Sequence, residues 1–421
     1  MGKDIELLNG VSKFFTEQLL EEVLAKKFGE KDVEVTGWEF GEASAKGDSY
    51  LSEVDRVVIN GKIKGKPESV KVVVKSFPSN LGRRNTFRSN VFFKNEILFY
   101  TRIVPEFKKF LASKKKEYLF LVPDCLAHFL DGENDFIVLE DVSVYGFGPA
   151  ARQSTLSLEE CKVILKAMAR FHGVSFAHKD QHEKEFYKVA GQLEETYFSE
   201  KWTDWYAKFQ ALIVSIAKDA ISLEYPDTPQ QKKFCSLDGK DLWKKSVELC
   251  TRIHAPTSVV NQGDCWAPNF LIRETTSGEM ETLLLDFQLA RCASPVTDIS
   301  FFIYSCTDQK MRDENFDFLL KFYHEELSKT ISELGSNAEE VYPWYLFQEE
   351  VKEQFVHGVG FCLESIPFSM LDESEALNLD GIKGDEAVDI VEVFALKPLK
   401  VPAKRQRLAS ALVDAIDRGF L

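Results

Sequence analysis

The chain has 421 residues and a formal charge of −15, which is too long for one small core and suits two lobes. An acid excess of this size excludes a protein whose main work is wrapping nucleic acid, because such binding rests on clustered Lys and Arg; a small anionic ligand needs only a few local cations and N–H groups. With 44% hydrophobic and 28% charged residues, the composition is that of an ordinary globular protein and not of a disordered one.

The opening MGKDIELLNGVSKFF lacks the apolar run of a signal peptide, and Glu6 stands where a myristoylation motif needs Ser or Thr. Ile5, Leu8, Phe15, Leu19 and Val23 recur at helical spacing and predict an amphipathic helix ending near Gly29. Strand patterns follow in EVTGWEF, YLSEVDRVVI and SVKVVVKSF, with Asn60-Gly61 as the expected hairpin turn. A helix is expected from about Asn90 to Arg102, stopped ahead of Pro105, and then strands in YLFLVP and DFIVLEDV. Ser157-Leu158-Glu159-Glu160 is a capping box that opens a helix with Val163, Ile164, Ala167, Met168 and Phe171 on one face. From there helical periodicity dominates, so the reading is α+β: a sheet-rich N-terminal lobe, residues 1–142, and a mainly helical C-terminal lobe, residues 143–421, joined through the Gly-containing VSVYGFGP.

The eight cysteines are scattered, without C-x-x-C or zinc-type spacing, and read as reduced, mostly buried thiols. No run of about 18 apolar residues is present to span a bilayer. A cytoplasmic protein without a membrane span is expected.

Chemistry concentrates in NQGDCWAPNFLI, residues 261–272, and LLLDFQLA, residues 283–290. FLIR and TLLLD read as a hairpin; with its turn centred between Ser277 and Gly278, Asn269 faces Asp286, about 4.5 to 5.5 Å away between Cα atoms. Their hard oxygens suit Mg²⁺, which completes its shell with phosphate and water. With Asp264 on the preceding loop to position an acceptor hydroxyl and take its proton, these three residues form the toolkit of phosphoryl transfer. The plan also needs a lysine for the nucleotide phosphates and a glutamate to hold it. Lys75 in VVVKSF and Glu96 in FFKNEILFY fit, because each charge sits among apolar neighbours and a mutual ion pair resolves both costs. The loop Gly41 to Tyr50 lacks a regular G-x-G-x-x-G, but Ser44, Gly47 and Ser49 are small enough to let backbone N–H groups approach phosphates. Glu140 to Val142, after the strand DFIVLED, is the segment whose backbone is expected to meet an adenine edge.

Taken together, VVVKSFP, F-x-x-E-x-x-F-Y around Glu96, IVLEDV, ARFH ending at His172, G-D-x-W-x-x-N from Gly263 to Asn269 and LLLDFQ resemble the ecdysteroid kinase-like family, also described as CHK kinase-like and related to choline kinases and aminoglycoside phosphotransferases. The match runs in order from about Gly37 to Thr307. The resemblance implies a two-lobed protein-kinase-like fold that uses ATP and Mg²⁺ to phosphorylate a hydroxyl of a small molecule, such as an ecdysteroid or similar lipophilic alcohol. It carries phosphate binding to Lys75, support of that lysine to Glu96, catalysis to Asp264 and metal binding to Asn269 and Asp286. His172 reads as a satisfied core residue, and Asp298 as a helix N-cap that also braces the catalytic loop.

One position departs from the pattern: the family's usual His-Gly-Asp is Gln262-Gly263-Asp264 here. Gln donates and accepts hydrogen bonds as neutral His does but never becomes cationic, so Gln262→His is expected to preserve or raise activity. The alternative reading is a catalytically impaired kinase-fold protein that binds nucleotide or a lipophilic ligand. A protein kinase is disfavoured, since H-R-D and A-P-E are absent and DFQ replaces D-F-G. No motif identifies a choline cage.

Overall fold

The computed structural model describes residues 3–42, 51–150, 155–371, 379 and 382–421. The predicted first helix is two, α1 (Ile5–Val11) and α2 (Glu17–Phe28). Ser12 between them is extended, and Thr16 starts α2 by accepting the Leu19 N–H. The break lets Phe15 turn inward, edge-on to Phe136 at 5.3 Å.

Strands β1 (Val33–Glu42), β2 (Glu53–Ile63), β3 (Lys66–Ser76), β4 (Cys125–Phe129) and β5 (Phe136–Glu140) form an antiparallel sheet in the order β1-β2-β3-β5-β4. Asn60-Gly61 does not turn the chain; it lies inside β2. The turn is Lys64-Gly65, with φ of 51° and 77°, the two left-handed residues that a tight hairpin requires. Space is what demands glycine at Gly61: a Cβ there would meet Leu24 Cδ1 at 2.5 Å and the Glu34 carbonyl at 2.7 Å. YLFLVP is also not a strand, since Glu117–Leu119 form a 3₁₀ turn and pairing with β5 begins at Cys125.

Between β3 and β4 lie α3 (Leu81–Phe87), α4 (Ser89–Leu98) and α5 (Val104–Lys114). Pro105 does not stop the helical path. It sits in the first turn of α5, just past a single π turn over Phe99–Ile103, where the ladder is already widened and the missing N–H costs least.

Strand alternation decides which way the small lobe's lysine points. Val70, Val72 and Val74 of β3 and Phe136 and Val138 of β5 pack with Leu20, Val23 and Leu24 of α2. The opposite face therefore carries Lys75 beside its register partner Ile137, and Ile137 and Leu139 belong to the core that contains Phe93 and Ile97 of α4.

The rest is mainly helical. The expected capping box at Ser157 and Glu160 opens α6 (Leu158–Gln181). Short strands β6 (Gly148–Pro149), β8 (Phe270–Glu274) and β9 (Met280–Leu284) make one small sheet, and β7 (Val259–Asn261) pairs with β10 (Arg291–Ala293). Helices Val296–Cys306, Gln309–Glu333 and Val356–Ser369 form much of the scaffold behind them. All eight cysteines are free thiols, six of them buried. Among the described residues no helix is long and apolar enough to cross a membrane.

Candidate active site

The loop from Asn261 to Asn269 is shaped from its glycine outward. Gly263 has φ +88°, and a Cβ would lie 2.0 Å from the Leu289 carbonyl oxygen, so only glycine fits. Asp298 holds the backbone on either side: Oδ2 accepts the Gln262 N–H at 2.8 Å and Oδ1 the Gly263 N–H at 3.0 Å. Asp298 is not the N-cap of its helix. It sits in the first turn of Val296–Cys306, whose N-cap is Pro295, and its carboxylate is given to the loop instead. Burial pushes that carboxyl up, but the His172 hydrogen bond and charge, Arg291 and the Gln262 N–H hold it below the usual carboxylate range. His172 is buried between Tyr323 (Nδ1 to Oη, 2.8 Å) and Asp298 (Nε2 to Oδ2, 3.2 Å), so it braces the carboxylate that holds the loop.

Gln262 does more than a histidine at its place. Its Nε2 donates to the carbonyls of Leu285 and Asp286, both at 2.8 Å, while Oε1 accepts the Asp264 N–H at 2.7 Å and the Cys265 thiol at 3.2 Å. One carboxamide thus ties the Asp264 loop to the Asp286 turn. A neutral imidazole offers one donor and one acceptor, so the equivalence of Gln and His expected from sequence does not hold here.

The hairpin forms, with its register one residue off the expected one. Phe270 faces Leu284, and the Leu285 N–H donates to the Asn269 carbonyl at 2.9 Å; Asn269 therefore faces Leu285 and not Asp286. The loop contains five residues, 275–279, which centres the turn on Ser277. A one-residue slip reverses the face of a side chain, but Asp286 adopts a left-handed φ of +56°, a conformation that Asp tolerates and that redirects the chain.

Lys75 Nζ lies 2.8 Å from Glu96 Oε1 and 3.5 Å from Asp286 Oδ2. Burial alone would lower the lysine pKa; the charges of Asp286 and Glu96 outweigh it and keep the ammonium firmly protonated. Gln288, the Gln of DFQ, approaches the other Glu96 oxygen at 3.4 Å, and Phe287 anchors the turn by stacking on Phe99 at 3.6 Å. Nearby, Asn269 Nδ2 donates to Asp264 Oδ2 at 2.8 Å and to its carbonyl at 2.9 Å. Burial and the charge of Asp286 push the Asp264 carboxyl up to about 7, against the pull of Asn269.

Among the described residues no group of three or more His, Cys, Asp or Glu could hold a metal by itself. One carboxylate, Asp286, and one amide oxygen, Asn269, fit Mg²⁺, which takes one or two protein oxygens and leaves the rest of its shell to phosphate and water.

The remaining expected residues fare differently. Ser44, with Gly47 and Ser49, lies outside the described residues. The Glu140 side chain is engaged by Lys27 and Tyr145, and its N–H by the Asp124 carbonyl at 2.9 Å. Val142 opens a 3₁₀ turn, a position whose N–H has no partner inside its own helix. Val142 also belongs to an apolar cluster with Phe147, Leu283, Leu271 and Leu285, which sequence patterning did not single out.

Two further supports were missed. Asn95, next to Glu96 on α4, donates to the carbonyls of Gln288 (3.1 Å) and Ala290 (2.7 Å) and accepts the Glu194 N–H at 3.1 Å, which ties α4 to the Asp286 turn. Arg291 pairs with Glu195 at 2.7 Å, both buried. The signal was present in Asn95, a polar residue on an apolar helix face; Glu195 and Arg291 are too far apart in sequence to be linked by spacing.

A five-stranded sheet carrying a lysine–glutamate pair, set on a helical lobe whose loop and hairpin carry Asp, Asn and Asp, defines a two-lobed protein-kinase-like architecture. Residues 46–336 match the model of the ecdysteroid kinase-like family, and the chain belongs to that family. No curated protein sequence matches it. Solved structures similar to it include the Plasmodium vivax ethanolamine kinase, at 13% identity over 100% of this chain and 97% of that one with a TM-score of 0.41. A GDP complex of aminoglycoside 2'-phosphotransferase-IIIa is 11% identical over 83% and 97%, TM-score 0.36. A fructosamine-3-kinase from Haemophilus somnus 129PT is 13% identical over 94% and 96%, TM-score 0.35. At these scores the likenesses add no argument to the chain's own geometry.

Proposed function

We propose that this chain is an ATP-dependent kinase that phosphorylates a hydroxyl of a small molecule, with ecdysteroids or similar lipophilic alcohols as its acceptor class. The observation that carries the reading is Lys75 held between Glu96 at 2.8 Å and Asp286 at 3.5 Å, beside the Asp264–Asn269 pair. In this reading residues 1–142 are the nucleotide-binding lobe and residues 143–421 the catalytic and acceptor-binding lobe. Lys75 holds the nucleotide phosphates, Glu96 fixes Lys75, and the Glu140–Val142 backbone, beside the apolar cluster of Val142, Phe147 and Leu283, receives the adenine. Asn269 and Asp286 are the residues that would hold Mg²⁺, whose charge would offset that of the phosphates.

Asp264 accepts the proton of the acceptor hydroxyl as the hydroxyl oxygen bonds to the γ-phosphorus; the bond from that phosphorus to the β,γ-bridging oxygen breaks, and ADP leaves. A carboxyl raised toward neutrality is a stronger base than an ordinary one and suits the role. The impaired-kinase alternative rests on Gln262; the four contacts of that side chain, which tie the Asp264 loop to the Asp286 turn, favour a working site over it.

The test is thermal stability with and without Mg²⁺–ATP in wild type and Asp286→Asn, since a ligand that binds only the native state raises stability. A rise in wild type that weakens in the variant, together with loss of most ATP-dependent turnover and an unchanged far-UV spectrum, is expected. Unchanged turnover in Asp286→Asn would sink the metal assignment.

A further inference from the structure

The loop after helix Glu183–Ala190 belongs to no motif, yet three successive residues of it bind the segments that carry the phosphate side. The Glu194 N–H donates to Asn95 Oδ1 at 3.1 Å. One Glu195 oxygen accepts the N–H groups of Tyr197 at 2.9 Å and Phe198 at 2.7 Å, while the other pairs with Arg291. Thr196 is 1% exposed and is held at both ends: its hydroxyl donates to the Gln288 carbonyl at 3.2 Å, and its own carbonyl accepts from Arg88 Nη2 at 3.0 Å. Gln288 is the residue whose side chain approaches Glu96, and Arg88 is the N-cap of α4, the helix that carries Glu96. Thr196 therefore joins the two segments that meet at Glu96. Arg88 has a φ of +55°, a left-handed backbone that persists only where the surroundings impose it. Its guanidinium lies between the Trp202 and Trp205 rings, 3.9 and 4.0 Å from their centroids, and among the described residues Nε and Nη1 find no partner. A buried cation with unmet donors weakens the fold, and the hydrogen bond it secures is the one to Thr196.

We infer that Thr196, with Arg88 behind it, is a positioning residue for phosphoryl transfer: it keeps Gln288 against Glu96 and thereby keeps Glu96 on Lys75. The inference rests on the kinase reading above. Asn95, one residue before Glu96, donates to the same Gln288 carbonyl at 3.1 Å, so α4, the loop and the turn after Asp286 close a triangle of hydrogen bonds. Contacts through three separate residues resist rotation of α4 about its own axis, which a single contact does not. The consequence falls on the metal side. If Glu96 turns away, the carboxylate left to Lys75 Nζ is Asp286, already 3.5 Å distant. An ammonium drawn onto Asp286 competes for the oxygen proposed for Mg²⁺, so a slack joint at Thr196 weakens nucleotide binding without any change in the residues that touch the nucleotide.

The experiment measures Mg²⁺–ATP affinity by calorimetry, and thermal melting without ligand, in wild type, Thr196→Val, Thr196→Ser and Lys94→Ala. Thr196→Val keeps the shape and removes the hydroxyl; Thr196→Ser keeps the hydroxyl and removes a buried methyl, so it melts below wild type. Thr196→Val is expected to bind Mg²⁺–ATP about 3- to 10-fold more weakly, the scale of one hydrogen bond, and Thr196→Ser to bind as wild type does despite its lower melting. Lys94→Ala removes an exposed ion pair with Glu194 at 2.9 Å and is expected to leave affinity unchanged. Because Thr196 acts through Glu96, Thr196→Val in a Glu96→Gln background should weaken binding by less than about twofold. A role in stability alone would lower melting and leave the affinity of the folded protein untouched, so equal affinity in wild type and Thr196→Val overturns the inference. So does Thr196→Ser or Lys94→Ala binding as weakly as Thr196→Val, or a full effect of Thr196→Val in the Glu96→Gln background. A wild type that binds no Mg²⁺–ATP overturns the kinase reading itself.

Discussion

Restoring the family's usual histidine by Gln262→His is expected to harm this protein. The carboxamide of Gln262 is 1% exposed and serves four partners: the Leu285 and Asp286 carbonyls at 2.8 Å each, the Asp264 N–H at 2.7 Å and the Cys265 thiol at 3.2 Å. Neutral imidazole has one donor for two carbonyls; imidazolium has two donors and nothing to accept the Asp264 N–H. In either state at least one buried backbone group loses its partner, at a cost of about 1–3 kcal/mol. The groups that lose it belong to the two segments carrying Asp264 and Asp286, so the same cost falls on their alignment. Were it expressed wholly in the transition state, kcat would fall about 5- to 150-fold. Thermal melting and steady-state kinetics of Gln262→His and Gln262→Ala measure both consequences; Ala, which removes every bond, should melt lower than His. A His variant whose melting temperature and kcat equal or exceed those of wild type would refute the reasoning.

Gly263→Ala places a Cβ 2.0 Å from the Leu289 carbonyl at a φ of +88°, and a loss of about 3 kcal/mol or more, or failure to accumulate soluble protein, is expected; an Ala variant with wild-type melting refutes the steric argument. Glu364 predicts a pH effect. Its folded carboxyl stays protonated to about 8 while the ordinary value is 4.5, so the unfolded chain sheds this proton first and stability falls as pH rises between those values. At about 1.4 kcal/mol per pH unit the effect is at most ~5 kcal/mol. Glu364→Gln removes the titration, and its stability relative to wild type should improve from pH 5 to pH 8 in urea melts. Parallel curves for the two proteins would contradict the assignment.

Local, periodic signals were legible in the sequence. Lys75 and Glu96 stood out because each is a lone charge among apolar neighbours, and alternation along β3 alone puts Lys75 on the face opposite Val72 and Val74. The capping box of α6 was read correctly for the same reason. The misses arise where tertiary packing overrides a local rule. Asn60-Gly61 has the composition of a turn, but its glycine is there because Leu24 and Glu34 leave no room for a Cβ, and the turn falls to Lys64-Gly65. The hairpin after Asn269 was found, while its register was not, because the choice between an even and an odd loop is made by hydrogen bonds within residues 275–279. Asp286 then adopts a backbone conformation that no side-chain pattern announces.

The two halves of the proposed reaction differ in how sequence encodes them. The phosphate side rests on short segments: Asp264, Asn269 and Asp286 lie within one loop and hairpin, and Lys75 on β3 meets Glu96 on α4 with only the short helix α3 between them. Each segment imposes a spacing that can be read. The helical lobe is assembled differently: Tyr197, Tyr206 and Glu364, for example, come from a loop and two helices whose last member is separated from the others by more than a hundred and fifty residues, and they meet only through packing. Nothing local distinguishes Glu364 from any other glutamate on a helix until its burial and its missing cation are seen together. A change of acceptor can therefore arise from substitutions scattered over the helical lobe while the phosphate-side motifs stay the same. For this reason the family's shared motifs point to the transfer chemistry and leave the acceptor to be measured.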